Sequence, residues 1–192
     1  MTNFFAYLSR MKLIRRWSLM RNIQPENIQE HSMEVAVLAH ALAEIANTYY
    51  GGNYNAEHAA VLALYHDVGE VIIGDLPTPV KYFNPQIKQA YGAIEDVAKN
   101  KLLSFLPQPL KQQYHSLLFP DPVQPEYRLV KAADKISAYI KCLEECAAGN
   151  GEFLLAKKSI EQELAKFSDI EAVSWFMAHC ADSFSKTLDE LD

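Results

Sequence analysis

Four side chains in this 192-residue sequence have types and spacing that could do chemistry: His31, His66, Asp67 and Asp134. Each lies in or beside an apolar helical pattern, where an isolated carboxylate is costly unless it is paired or bound to a cation. Two neutral imidazoles and two carboxylates make an N2O2 donor set suited to one divalent transition metal, with cobalt, manganese, zinc, nickel and copper all compatible. His66 and Asp67 are neighbours, about 100° apart if helical. Both can reach an ion at a seam between helices, provided His31 and Asp134 come from facing ones. Taken singly, each residue has a plainer reading. A lone mid-helix aspartate is more often paired with a lysine, and Lys131 and Lys135 stand close to Asp134. The ordered set, His then His-Asp then Asp on successive buried helices, is much more specific.

The elements that must position these residues are helical. Asn27 and Glu30 form a capping-box-like start, followed by a stripe of Val35, Leu38, Leu42, Ile45 and Tyr49, with Glu34 and Glu44 off it. One turn before Val35, His31 falls on the buried side. Gly51-Gly52-Asn53 breaks the chain, and Asn55 caps a second helix, apolar nearly all round from Ala59 to Tyr65, as expected of a central one. It ends abruptly in His66-Asp67-Val68-Gly69-Glu70. The two prolines of Gly74-Asp75-Leu76-Pro77-Thr78-Pro79 predict a stiff loop. A helix over 86–105 should turn Ile87, Ala90, Tyr91, Ile94, Val97, Ala98, Leu102 and Phe105 inward. A proline-rich connection near 107–126 encloses one short helix. The pattern over 126–148 runs Leu129, Ala132, Ala133, Ile136, Tyr139, Ile140, Leu143, Ala147 until Gly149-Asn150-Gly151 stops it, and amphipathic segments near 152–166 and 170–188 follow. No repeat or convincing strand pair is present. The expectation is all-α, a single compact bundle over 1–192.

Composition narrows the function. Hydrophobic residues at 49% and charged residues at 22% describe a folded chain, not a disordered one. The net charge of −6 speaks against a nucleic acid polymer as partner, since such binding neutralises phosphates with Lys and Arg. No apolar run approaches a membrane span. Arg10, Lys12, Arg15, Arg16 and Arg21 all precede the first acid, Glu26. That pattern reads either as a transit peptide or, preferably, as a folded helix whose cations serve an anionic ligand. Cys142, Cys146 and Cys180 lack zinc-type spacing; small buried hydrophobes in a reducing cytosol are the simpler reading. A second metal about 3.5–4 Å from the first would need further ligands. His115 is the only histidine between Asp67 and Asp134, and it falls in the proline-rich connection, so one metal is expected. His40, His58 and His179 are poor ligand candidates.

The order His31, His66-Asp67, Asp134 resembles the HD-domain superfamily of metal-dependent phosphohydrolases and, more narrowly, the bacterial YfbR-type 5′-deoxynucleotidases. The narrower likeness rests on Arg15-Arg16-Trp17-Ser18-Leu19-Met20-Arg21-Asn22, Glu30-His31-Ser32, His66 to Glu70, and the run from Gly74 to Phe83. Leu143 to Asn150 and Glu152 to Ala156 extend it. The resemblance implies an HD-domain bundle with His31, His66, Asp67 and Asp134 as ligands of one metal. It implies Arg16, Glu70 and Asp75 as catalytic, and Arg16, Trp17, His31, Asp67, Asp75, Leu76, Pro77, Thr78 and Asp134 as substrate contacts. The implied activity is hydrolysis of deoxyribonucleoside 5′-monophosphates by a cytoplasmic homodimer. Physical chemistry agrees with these roles. Arg16 supplies a planar, permanently charged fork for phosphate oxygens, although pairing with an acid would explain it equally well. Trp17 fits the sugar face or the core. Glu70, one turn beyond His66, can handle a water proton or protonate the leaving oxygen; otherwise it is a helix-end solvent residue. Asp75 can share that work, grip a sugar hydroxyl, or simply form a turn. Another HD phosphohydrolase substrate, such as a triphosphate, is the nearest alternative. The stretch 66–80 contains no Lys or Arg, which favours a monophosphate. A non-catalytic nucleotide-binding module is a further alternative, but it would not need every candidate residue that is present.

Overall fold

Polar caps and alanine-rich faces shape the long helices. The structure, a computed structural model, describes residues 2–81 and 83–192; Met1 and Tyr82, the latter within the family-like run from Gly74 to Phe83, lie outside the described residues. Among the described residues ten α-helices follow in chain order: α1 (Phe4–Leu8), α2 (Ile28–Tyr49), α3 (Ala56–Tyr65), α4 (Glu70–Ile73), α5 (Thr78–Lys81), α6 (Pro85–Ser104), α7 (Gln108–Leu118), α8 (Pro125–Ala147), α9 (Leu154–Leu164) and α10 (Glu171–His179). Asn27 accepts from the backbone N–H of Gln29 and Glu30 at 3.0 and 3.1 Å while Glu30 returns to the Asn27 N–H, the expected capping box of α2. Asn55 caps α3 by accepting the N–H of His58, and Asn84 caps α6 by accepting that of Ile87.

Alanines on α2, α3 and α8 let these three helices approach closely. Ala39, Ala43, Ala59, Ala63, Ala132 and Ala133 are all fully buried, interleaved with Leu42, Leu129 and Ile136. A second, smaller core gathers Phe4, Met11, Ile28, Val68, Leu102 and Leu118. The His66–Glu70 segment runs from one core to the other, leaving Ala63 in the first and placing Val68 in the second. Gly69 fits this passage because a Cβ there would stand 3.3 Å from Glu95 of α6. Gly74, at φ 76°, turns the chain from α4 into Asp75.

Several expectations need correction. Ile94 and Val97 of α6 are 52% and 69% exposed, and Ala90 is exposed too. The helix buries only a narrow strip (Tyr91, Ala98, Leu102 and Leu103) against its neighbours. Val61 and Leu64 keep α3 from being enclosed on every side, and Tyr49 stacks on Trp175 at the surface instead of entering the core. The loop after Gly74 ends sooner than predicted, since Thr78–Lys81 is helical and tolerates Pro79 in its first turn. The 170–188 segment divides at Cys180 into α10 and a 3-10 turn, Ala181–Ser185. The N-terminal basic stretch is neither helical throughout nor detached. Phe4 is fully buried, and residues after the 3-10 turn Met11–Leu13 form an irregular arm. The three cysteines are free thiols. Among the described residues, no helix is long and apolar enough to cross a membrane.

Candidate active site

His31 comes from the first turns of α2, His66 and Asp67 from the end of α3, and Asp134 from the middle of α8. The close packing of these helices brings donors from three chain segments to one point. Donor atoms of His31, His66 and Asp134 lie within 4.8 Å of one another. Asp67 joins them, with Oδ2 3.0 Å from His66 Nε2 and 3.6 Å from His31 Nε2, and Asp134 Oδ1 is 3.2 Å from His31 Nε2. Lys135 does pair with Asp134, as the plainer reading supposed, but it takes Oδ2 at 3.1 Å and leaves Oδ1 facing the imidazole.

The donor set fits a metal ion. Both Nε2 atoms are buried and have no hydrogen-bond partner, despite carboxylate oxygens at 3.0–3.6 Å. The other ring nitrogens are already engaged. His66 Nδ1 meets the Ala63 carbonyl at 2.6 Å, and His31 Nδ1 meets Ser137 Oγ at 3.0 Å. Ser137 donates its own proton to Glu34 Oε2 at 2.5 Å, so its oxygen accepts from His31. This is the outer arrangement that orients a ligating imidazole with Nε2 towards the ion. Electrostatics agrees. Burial opposes charge on His31, as does Arg16, yet Asp134 and Glu26 raise its pKa above the ordinary value. Asp67 and Asp134 remain well below the usual carboxylate range in spite of desolvation, Asp67 through His66 and His31, Asp134 through Lys135 and His31. The cluster is built to hold positive charge.

Arg16 reaches the same point from the arm, with Nη1 3.6 Å from Asp67 Oδ2 and Nε 3.3 Å from Glu26 Oε2. Trp17 Nε1 donates to that same Glu26 oxygen at 2.7 Å, and the indole packs on Phe153 with ring centres 5.4 Å apart. Trp17 has φ 55°, a left-handed backbone that is uncommon for an aromatic residue and marks strain sustained by the surrounding contacts. Glu70 is 6% exposed, and its Oε2 has no partner. Burial first, then Asp67 and Asp75, push its carboxyl up to about 10, so it keeps its proton at neutral pH. Asp75 is half-buried and also raised, by burial and Asp67, against the opposing pull of Arg16. Leu76 and Pro77 are half-buried and Thr78 is exposed; none of the three contributes to the contacts just described.

Three residues in this network escaped the sequence reading. Glu26 joins Arg16, Trp17 and His31, whose Nδ1 lies 3.5 Å from Oε1, yet no local pattern marks it beyond being the first acid after five basic residues. Glu34 falls off the apolar stripe of α2 and bonds Ser137 across the helix seam. Ser137 had a usable signal, since it follows Asp134 by three positions on the buried face of α8.

A family model for 5′-deoxynucleotidase YfbR-like proteins matches residues 3–184. The 5′-deoxynucleotidase YfbR of Shigella dysenteriae is 53% identical over 191 residues, covering 99% of this chain and 96% of that protein. The Escherichia coli protein of the same name is 52% identical with the same coverage. Among solved structures, an HD-domain phosphohydrolase from Listeria innocua superposes with a TM-score of 0.84 at 22% identity, covering 95% of this chain and 88% of its own. The cyanophage S-2L HD phosphohydrolase DatZ, bound to dA and one catalytic Zn2+ ion, superposes with a TM-score of 0.67 at 17% identity, covering 93% and 96%. These two likenesses concern the fold: an all-α HD-domain bundle. With the family match spanning most of its length and relatives above half identity along nearly all of it, the chain belongs to the YfbR-like 5′-deoxynucleotidase family.

Proposed function

We propose that this chain is a metal-dependent phosphomonoesterase that hydrolyses deoxyribonucleoside 5′-monophosphates to deoxynucleoside and phosphate. The observation that carries this reading is the meeting of the Arg16 guanidinium with the His31, His66, Asp67 and Asp134 donors at one point between helices. The 5′-deoxynucleotidase names of relatives at 52–53% identity support the substrate class.

In this reading His31, His66, Asp67 and Asp134 hold one divalent cation, cobalt or manganese, with zinc, nickel and copper also suited to the donors. Such a cation, when bound, supplies charge for a phosphoryl oxygen and lowers the pKa of a bound water. Arg16 grips the remaining phosphate oxygens with its fork, fixed by Glu26 and already poor in solvent. Glu70, its carboxyl raised by burial and by Asp67 and Asp75, gives its proton to the 5′-oxygen as the P–O bond breaks. Asp75, raised above an ordinary aspartate, accepts a proton from the attacking water. His31, Asp67 and Asp134 border the phosphate, while Asp75, Leu76, Pro77 and Thr78 line the nucleoside. Trp17 packs on the sugar face where a 2′-hydroxyl would stand.

The whole chain, 1–192, is read as one catalytic unit working as a cytoplasmic homodimer. Met33 and Val37 on α2, 58% and 57% exposed, offer apolar surface to a second copy, and three free cysteines suit a reducing compartment. The test is phosphate release from a panel of deoxy- and ribonucleoside 5′-monophosphates, with chelator and then re-added metals. Selective, metal-restored release from the deoxynucleotides is expected. Equal rates on both sugar types, or release that survives chelation, would overturn the assignment.

A further inference from the structure

The arm that carries Arg16 and Trp17 has little regular structure to hold it. Its base is closed by two backbone hydrogen bonds, Arg16 N–H to Glu26 O at 3.1 Å and Ile28 N–H to Ile14 O at 3.0 Å. Beyond that base the chain swings out through Leu19 and Ile23, which are 70% and 54% exposed. A cavity of about 190 Å3, lined by Gln24, Pro25, Glu26, Glu34 and Lys141 among others, lies beside it. What does hold it comes from the far end of α8. Glu145, 1% exposed, accepts the backbone N–H of Ile23 at 2.9 Å and of Gln24 at 3.0 Å. The same carboxylate accepts from Lys141 Nζ at 2.6 Å and Asn150 Nδ2 at 2.8 Å. Lys141 also donates to the Gln24 carbonyl and Asn150 to the Arg21 carbonyl, while Glu152 takes the Arg21 N–H and guanidinium. Burying a charged pair gains little stability over an apolar pair of the same size. Four donors on one carboxylate, two of them from the arm's backbone, serve position instead.

We propose that Glu145, with Lys141 and Asn150, is a positioning clamp that sets the nucleotide affinity of the site by fixing the arm that bears Arg16 and Trp17. The inference rests on the reading of those two residues as nucleotide contacts. The clamp touches none of the four metal donors, so it acts on substrate binding and leaves cation binding alone. The Lys141–Glu145 pair makes Glu145→Gln a risk to folding, because it strands the ammonium. Asn150→Ala, at a half-buried position, loosens the same clamp without leaving a buried charge.

The experiment compares both variants with the parent for deoxynucleotide KM and kcat, for Co2+ affinity by calorimetry, and for acrylamide quenching of Trp17 in a Trp175→Phe background. The chain has only two tryptophans, so that background isolates Trp17. We expect KM to rise about tenfold in Glu145→Gln and about threefold in Asn150→Ala, with kcat and Co2+ affinity within about twofold and Trp17 more readily quenched. If Glu145→Gln does not fold, Asn150→Ala decides alone. Unchanged KM and unchanged quenching in folded variants, whatever happens to melting temperature, would reduce the clamp to a fold element and overturn the proposal. A parent that releases phosphate from no deoxynucleotide would break the substrate reading instead, and the quenching comparison would still judge the clamp.

Discussion

The His31, His66, Asp67 and Asp134 cluster and the arm meet within a few ångströms of each other but are built on opposite principles. The centre draws its donors from long helices whose close packing is secured by buried alanines, and its imidazoles are locked by Ser137 and the Ala63 carbonyl. The arm is an irregular loop with one strained residue, Trp17, and it borrows rigidity from Glu26 on one side and Glu145 on the other. A centre fixed by core packing should tolerate loss of the arm's contacts. An arm fixed by a few polar contacts should be sensitive to each of them. If the two are separately built, affinity for a cation and affinity for a nucleotide should change independently.

The largest effect should come from the centre itself. His66→Ala should abolish tight cation binding and lower phosphate release by at least about a thousandfold, a loss of several kcal/mol of transition-state charge stabilisation. Calorimetry with Co2+ and a phosphate assay check this, and full activity without the imidazole would show that the centre is not the reaction's focus.

Glu70→Gln comes next, with release down about 10²–10⁴-fold. Product deoxynucleoside and phosphate should still bind, since glutamine resembles the neutral acid in shape. The same variant has a stability signature. A carboxyl raised from 4.5 in the unfolded chain to about 10 in the fold contributes stability below pH 4.5 that is lost progressively as pH rises towards 10, because only the unfolded state ionises freely in that window. The metal-free parent should therefore lose melting temperature relative to Glu70→Gln across that range. Parallel melting curves at every pH would show that Glu70 ionises normally.

Arg16→Lys probes the arm. The loss of the paired N–H donors should lower kcat/KM by about 10- to 100-fold. Cation affinity should stay within about twofold, and a large fall would mean that arm and centre are one unit. Ser137→Ala should do the reverse, weakening cation binding by about tenfold through loss of the imidazole's orientation while leaving KM at saturating metal nearly unchanged.

The two regions also differed in how far they could be read from residues alone. Asn27 with Glu30, the stripe of α2, the halt at Gly149-Asn150-Gly151 and the His66-Asp67 pair are local signals, and each element appears close to where its pattern put it. Periodicity misjudged Ile94 and Val97 because it reports which residues share a face, not whether another element arrives to cover that face. It had no means of finding the arm, whose conformation depends on contacts more than a hundred residues away in the chain.

By itself, then, the sequence determined an all-α chain and the donor types available to it, since helix periodicity and ligand chemistry are properties of side chains and short spacings. The tertiary structure alone decided that Asp134 divides its two oxygens between Lys135 and His31, that Glu26 ties the arm to the centre, and that Glu145 holds the arm from behind. Those pairings depend on how helices approach and where a buried charge finds its donors, and no local spacing encodes either.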